Sequence, residues 1–223
     1  MPSVSHASKA RVVLVEDHPM FRERLAQMID KDMQMTVAGE AGNILDGLRI
    51  IQEAQPDVII VDISLKGSSG LDLIKELKAR SIESPVLVLS MHSELLYAQR
   101  SLQAGARGYI SKDEDSSQVM AAIRQVLAGQ IYLSAQMNER VMQRFAQTYT
   151  PVDASVVDQL TDRELEVFRL FGEGLNTRMI AERLTVGENT VSTFRQRIKK
   201  KLNVKDFTEL YCQAARWVQE QQA

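Results

Sequence analysis

The sequence predicts two domains in tandem, a doubly wound α/β domain on a five-stranded parallel sheet and then an all-α domain. Three observations carry that reading. Between residues 11 and 129, short β-branched runs alternate with helical patterns five times, as parallel strands wrapped by helices on both faces do. Beyond Gly129 the strand signals stop and the apolar repeats take helical spacing. Finally, 223 residues are long for one ordinary domain and comfortable for two small ones.

The first strand is expected over 11–15, with a helix over 18–31 that places Phe21, Leu25, Met28 and Ile29 on one face. Strands follow at 33–41, 57–63, 85–90 and 107–111, and helices at 44–54, 70–80, 94–104 and 116–128. This sets an α/β domain over 10–130, a connector over 131–157 with a helix at 135–147, and an all-α domain over 158–223. The connector is expected to be loosest near 148–157. In the last domain Thr161-Asp162-Arg163-Glu164 reads as a capping box. A helix then runs to about Phe171, and a second, capped by Asn176, ends at Leu184. The turn Thr185-Val186-Gly187 leads into a long basic helix to Leu202, and Asp206-Phe207-Thr208-Glu209 opens the last one. Two helices joined by a short turn, the second basic, fit a helix-turn-helix.

Composition excludes several classes. Hydrophobic residues are 44% and charged residues 25%, which is ordinary for a globular chain and rules out disorder and collagen-like repeats. Apolar runs such as Val58-Ile59-Ile60-Val61 are too short to span a bilayer, and no secretion signal is visible, so a cytoplasmic protein with no membrane partner is expected. Cys212 is the single cysteine and can form neither an internal disulfide nor a zinc cluster. The net charge of −2 hides an asymmetry: Arg195, Arg197, Lys199, Lys200, Lys201 and Lys205 form a run without an acid. Alone such a run is a solvated helix face; on the second helix of a helix-turn-helix it is a phosphate-backbone footprint.

Chemistry concentrates at the carboxyl ends of the strands, where doubly wound sheets bind ligands. Glu16 and Asp17 follow the first strand, Asp62 ends the third, Ser90 ends the fourth and Lys112 follows the fifth. Taken singly, each is a turn or capping residue. Five matched groups at four strand ends are a site. Crowded carboxylates favour a hard divalent cation, most plausibly Mg²⁺. A carboxylate such as Asp62 can attack phosphorus, while Lys112 and the Ser90 hydroxyl hold phosphoryl oxygens. On the basic helix, Val191, Phe194, Ile198 and Leu202 form an apolar stripe expected in the core. Ser192, Thr193, Gln196, Lys199, Lys200 and Asn203 then face outward, with Ser, Thr and Gln suited to base edges and Lys and Arg to phosphates.

These residues carry a resemblance. Val13-Leu14-Val15-Glu16-Asp17-His18-Pro19, the Asp62–Gly70 spacing, Leu89-Ser90-Met91-His92 and Gly108-Tyr109-Ile110-Ser111-Lys112 resemble a response-regulator receiver, a flavodoxin-like fold. Leu160-Thr161-Asp162-Arg163-Glu164-Leu165-Glu166-Val167 and Ile180-Ala181-Glu182-Arg183-Leu184 resemble a LuxR-type DNA-binding domain. Together they resemble the NarL/FixJ family of two-component regulators across nearly the whole chain. The resemblance implies Asp62 as phosphoacceptor, with Mg²⁺ held by Glu16, Asp17, Asp62 and the backbone carbonyl of Ser64. It implies Ser90 and Tyr109 as the switch pair and Lys112 as the phosphate-binding lysine. In the second domain it implies a recognition helix with Ser192, Thr193, Arg195, Gln196, Lys199 and Lys200 toward double-stranded DNA. A cognate histidine kinase, and a homodimer formed on phosphorylation or on DNA, are the implied partners.

The chain departs from the family in several places. Lys66 replaces a common Pro and is expected to loosen the loop after Asp62. Asp113 also replaces a Pro, so no cis bond is assumed there. Ser192 stands where Lys is common, Phe194 where His is common and Gly187 where a Ser cap is usual, while Thr177-Arg178-Met179 replaces Asn-Lys-Glu. Base readout is therefore expected to differ from that of typical relatives. Two other readings compete: a phosphatase or phosphotransferase using an Asp nucleophile, and an interaction module with a vestigial pocket. Against the enzyme, Ser64 stands where a second Asp would act as general acid, so no dedicated enzyme is expected. The intact Glu16, Asp17, Asp62, Ser90 and Lys112 set opposes the vestigial module.

Overall fold

The computed structural model describes residues 9–65, 68–91, 94–135, 137–139 and 156–222. The chain divides into two compact units, Met1–Val141 and Met142–Ala223.

In the first unit the strands are β1 (Ala10–Val15), β2 (Met35–Ala41), β3 (Val58–Asp62), β4 (Val86–Ser90) and β5 (Gly108–Ser111). The helices are α1 (Pro19–Asp30), α2 (Ile44–Ala54), α3 (Gly70–Ala79), α4 (Glu94–Ala104) and α5 (Ser116–Leu127). These five strands pair in parallel in the order β2-β1-β3-β4-β5, the flavodoxin-like doubly wound order. Alternation along each strand builds two cores. Val12, Leu14, Val58 and Ile60 pack with Leu25 and Ile29 of α1 and Ile123 and Val126 of α5. Val13, Val15, Ile59 and Val61 point the other way, onto Leu48 and Ile51 of α2 and Leu71, Ile74 and Leu77 of α3. Each such buried aliphatic contributes about 1.5–3 kcal/mol of transfer free energy. Helix starts are marked by side chains: Asn43 caps α2, Ser69 caps α3 and Asp115 caps α5.

Three local features differ from the sequence reading. β2 begins at Met35 rather than residue 33, and Met33 is exposed. The loop after Asp62 is paired on both sides of its midpoint: Ser64 and Leu65 form an antiparallel ribbon with Ser69 and Ser68. Lys66, expected to loosen that loop, lies outside the described residues. The unit also continues past residue 130. Tyr132 bridges to Gly108 in parallel, its carbonyl accepts the Tyr109 N–H at 3.0 Å, and its own N–H donates to Arg107 at 3.0 Å. Leu133 and Met137 are buried in the core that holds Tyr97 and Tyr109. Of the helix expected at 135–147, residues 135 and 137–139 are helical and the remainder lies outside the described residues.

The second unit holds a short 3-10 turn, Val156–Gln159, and four helices: α6 (Asp162–Gly172), α7 (Thr177–Leu184), α8 (Glu188–Lys201) and α9 (Phe207–Gln222). Thr161 and Glu164 form the expected capping box, and Asn176 accepts the Met179 N–H. Gly187 precedes α8 without a side-chain cap. Leu165, Phe168, Ile180, Leu184, Val191, Ile198, Leu202 and Leu210 make the core. Phe168 meets Trp217 and Phe171 meets Tyr211 as tilted ring pairs at 5.8 and 5.0 Å. Buried Glu164 also takes Lys201 Nζ at 2.6 Å, tying the end of α8 to the start of α6. Phe194, expected in the core, is only half-buried, because it stands at the edge of the stripe set by Val191 and Ile198.

Gly70 locks α3 against the end of β3: its N–H donates to the Ile63 carbonyl at 2.8 Å, and a Cβ there would overlap the carbonyl oxygen of Asp62. Gly70→Ala should therefore destabilise the first unit by more than about 2 kcal/mol. Gly129, with φ +76 and open space around its Cβ position, should lose only about 1–2 kcal/mol as Ala. Thermal and urea melts of the two variants check the ranking, and equal losses would contradict it.

Candidate functional site

Parallel register assembles the first site. Val15 pairs with Val61, Asp62 with Leu89, and Ser90 with Ser111. Glu16 and Asp17, Asp62, Ser90 and Lys112 consequently share one rim, beside the point where the winding reverses between β1 and β3. Glu16, Asp17, Asp62 and Ser90 are all buried. Lys112, its side chain 4% exposed, lies between Glu16 Oε2 at 2.6 Å and Asp62 Oδ2 at 2.8 Å. Its Nζ also sits 4.7 Å from the centre of the Phe21 ring, so two carboxylates and a π face fix the ammonium. Asp62 Oδ1 accepts the Ser64 N–H at 3.1 Å, and the Lys112 N–H donates to the Ser90 carbonyl at 2.9 Å. Tyr109 on β5 is wholly buried.

Electrostatics follow from that crowding. Burial, and then the charge of Glu16, push the Asp62 carboxyl up to about 6, and Lys112 only partly offsets them. Glu16, Asp17, His18 and Asp62 each offer a ligand atom within 4.8 Å of the others. Three carboxylates facing one ammonium leave the pocket negative at neutral pH, a donor set that suits a divalent cation with oxygen ligands.

His18 is the member that sequence reasoning did not single out. It is exposed, yet its Nδ1 lies 2.8 Å from Asp17 Oδ1 and 3.0 Å from Glu16 Oε1. Its signal was Pro19 at the first turn of α1, which leaves His18 at the N-cap beside the acids.

The second candidate site is α8. Opposite its buried stripe, Thr193, Gln196, Arg197 and Lys200 are exposed, and Ser192 and Lys199 half-buried. Arg195 is not on that face. Its guanidinium stacks 4.2 Å over the Phe207 ring and donates to Tyr211 Oη at 3.1 Å. Packing against α9 directs it inward, so the structure does not bring Arg195 together with the other residues expected to meet DNA. Exposed Asn189 was missed, although stepping back four residues from Thr193 reaches it.

Comparison with known proteins identifies both domains. The response regulator receiver domain family matches residues 12–124, and the LuxR family of bacterial regulatory proteins matches residues 158–214. The nitrate/nitrite response regulator NarL of Escherichia coli K12 is 31% identical over 98% of this chain and 99% of its own length. This chain is a two-component response regulator. BvgA, a virulence-factor transcription regulator of Bordetella pertussis, is 32% identical to the regulator over 90% of this chain and 94% of its own. The crystal structure of the response regulator ChrA is similar at 29% identity and a TM-score of 0.51, covering 96% of this chain and 99% of that one. The regulator thus joins a receiver to a LuxR-type DNA-binding domain, in a family of DNA-binding transcription regulators. No helix among its described residues is long and apolar enough to cross a membrane.

The raised Asp62 carboxyl gives the receiver a pH signature. Its folded value of about 6 lies above the ordinary 3.8, so its contribution to stability is fully present below pH 4 and is lost as pH rises through 6. In chelator, Asp62→Asn should stabilise the receiver by about 2–3 kcal/mol at pH 7.5 and by little at pH 4. Urea melts at the two pH values measure this, and a destabilised variant at pH 7.5 would contradict it.

Proposed function

We propose that Asp62 accepts a phosphoryl group from a histidine kinase and that this transfer controls DNA binding through α8. The observation that carries the reading is the buried Asp62–Lys112–Glu16 arrangement at the rim of the receiver. An ionised Asp62 oxygen attacks phosphorus as the bond from phosphorus to the donor nitrogen breaks. With its carboxyl raised only to about 6, Asp62 is still ionised at neutral pH, the form that attacks. Lys112, already 2.8 Å from Asp62, stabilises charge on the transferred group. Ser90, at the end of the neighbouring strand, supplies a hydroxyl to a phosphoryl oxygen, and Tyr109 two pairs away on β5 completes the switch.

The donor set fits Mg²⁺, with Glu16, Asp17, Asp62 and the Ser64 carbonyl as its holders. When bound, that cation neutralises charge on the phosphoryl oxygens. Ser64 in place of a second Asp two residues after Asp62 supports an acceptor rather than a dedicated phosphatase.

In the second domain, exposed Thr193 and Gln196 and half-buried Ser192 are suited to base edges, and Lys199 and Lys200 to phosphates. One recognition helix covers few base pairs, so a homodimer on paired half-sites, formed on phosphorylation or on DNA, supplies specificity. A receiver over 10–130, a 131–157 segment whose first part packs on it, and a DNA-binding domain over 158–223 express this division of labour, and cytoplasmic location accompanies a DNA ligand.

Incubation with acetyl phosphate and Mg²⁺ should add one acid-stable, base-labile phosphoryl group to the full chain by intact mass. Asp62→Asn should add none, and an adduct on the variant would reject the assignment. Lys200→Ala should weaken binding to every duplex and flatten the salt dependence of log affinity by about one unit. An unchanged slope would remove Lys200 from the phosphate contacts.

A further inference from the structure

Four exposed side chains of α8 fall on one line. Asn189, Thr193, Gln196 and Lys200 are all exposed, at spacings of four, three and four that keep them on a single helical face. Buried Val191, Ile198 and Leu202 lie on the other side. Helix-turn-helix proteins present the N-terminal part of the second helix to base edges; Asn189 and Thr193 occupy that part, and Gln196 follows one turn further along the same face.

Their chemistry is selective. Guanine shows two acceptors in the major groove and is read best by a guanidinium; adenine shows an acceptor beside a donor and is matched by a primary amide. The line carries two primary amides and no guanidinium. Arg195, which could have supplied one, is held over Phe207 and on Tyr211 Oη. Arg197 follows Gln196 and is turned about 100° from it, toward the flank. Thr193 lies between the amides and donates its hydroxyl proton to the Asn189 carbonyl at 2.9 Å. That leaves its methyl group to face the groove, as a thymine methyl requires.

We propose that Asn189 and Gln196 are the specificity-determining residues, each taking the edge of one adenine, with Thr193 against a thymine methyl between them. The seven-residue separation spans about 10 Å along the helix, or about three base steps. Each half-site then holds two A·T pairs about three steps apart, with the adenine on either strand. The inference rests on α8 being the DNA-recognition helix.

Selection of random duplexes by the full-length regulator, incubated with acetyl phosphate and Mg²⁺, tests it. The expected consensus has A·T at two positions about three steps apart in each half-site. Replacing either adenine by 7-deazaadenine, which lacks the N7 acceptor, should weaken wild-type binding between about 5-fold and 150-fold. Gln196→Ala should lose sensitivity to one replacement and Asn189→Ala to the other, with helical content unchanged by circular dichroism because both side chains are exposed. A consensus with G·C at these positions would overturn the adenine assignment, as would variants that select the wild-type sequence. Equal binding to all duplexes would overturn the assignment and leave α8 as a DNA-binding helix. Failure to retain any duplex would overturn both readings.

Discussion

A lysine buried between two buried carboxylates is the constraint around which the receiver is arranged. Removing an ammonium from water costs several kcal/mol unless partners of good geometry replace the solvent, and Glu16 and Asp62 do so at 2.6 and 2.8 Å. Those distances exist because β1, β3, β4 and β5 end in step, so that residues 50 and 96 positions away from Lys112 meet it. Register is fixed in turn by the two-sided alternation of each strand: a slip of one residue would exchange the α1–α5 core with the α2–α3 core. The pocket is thus a readout of the whole sheet. Burial and then incomplete neutralisation keep the Asp62 carboxyl high, and the second leaves the site receptive to added positive charge.

The DNA-binding domain manages charge differently. Six basic residues between Arg195 and Lys205 suggest six phosphate contacts when counted along the sequence. In the structure Arg195 is committed to Phe207 and Tyr211, Lys201 to Glu164, and Lys199 Nζ lies 5.5 Å from the same Phe207 ring. Part of the basic run therefore holds α8 against α6 and α9. Cations that read as ligand contacts in one dimension serve as packing groups in three, and the helix they hold presents mainly amide and hydroxyl groups.

Much of this was legible in the sequence because the relevant signals are local. Short β-branched runs marked the strands, the Thr161–Glu164 box marked α6, and matched groups after four strands marked the pocket. What escaped depends on distant partners or on segments too short to show a period. Two-residue strands such as Ser64–Leu65 carry no periodicity, and three residues around Tyr132 cannot announce that they extend the sheet. Arg195 turns inward because of Phe207 and Tyr211, which lie 12 and 16 residues further on. Phe194 shares a helical stripe with Val191 and Ile198, yet it stands at the edge of that stripe and stays half-buried. His18 joined the pocket through a proline-directed helix entry, a backbone effect that its neighbours in sequence only hint at.

The segment at Tyr132 has a mechanical consequence. Tyr109 is anchored twice, by its buried ring in the core with Tyr97 and Leu133 and by its N–H on the Tyr132 carbonyl. Tyr132, which follows α5, therefore lies beside the strand that carries this tyrosine and is hydrogen-bonded along its edge. A shift of β5 by a fraction of an ångström is transmitted to Leu133 and Met137 through peptide hydrogen bonds and close packing, which have little compliance. Two backbone bonds make the linkage, from the Tyr109 N–H to the Tyr132 carbonyl and from the Tyr132 N–H to the Arg107 carbonyl, so shortening the side chain at 132 leaves both intact while a proline at 109 would remove one of the two.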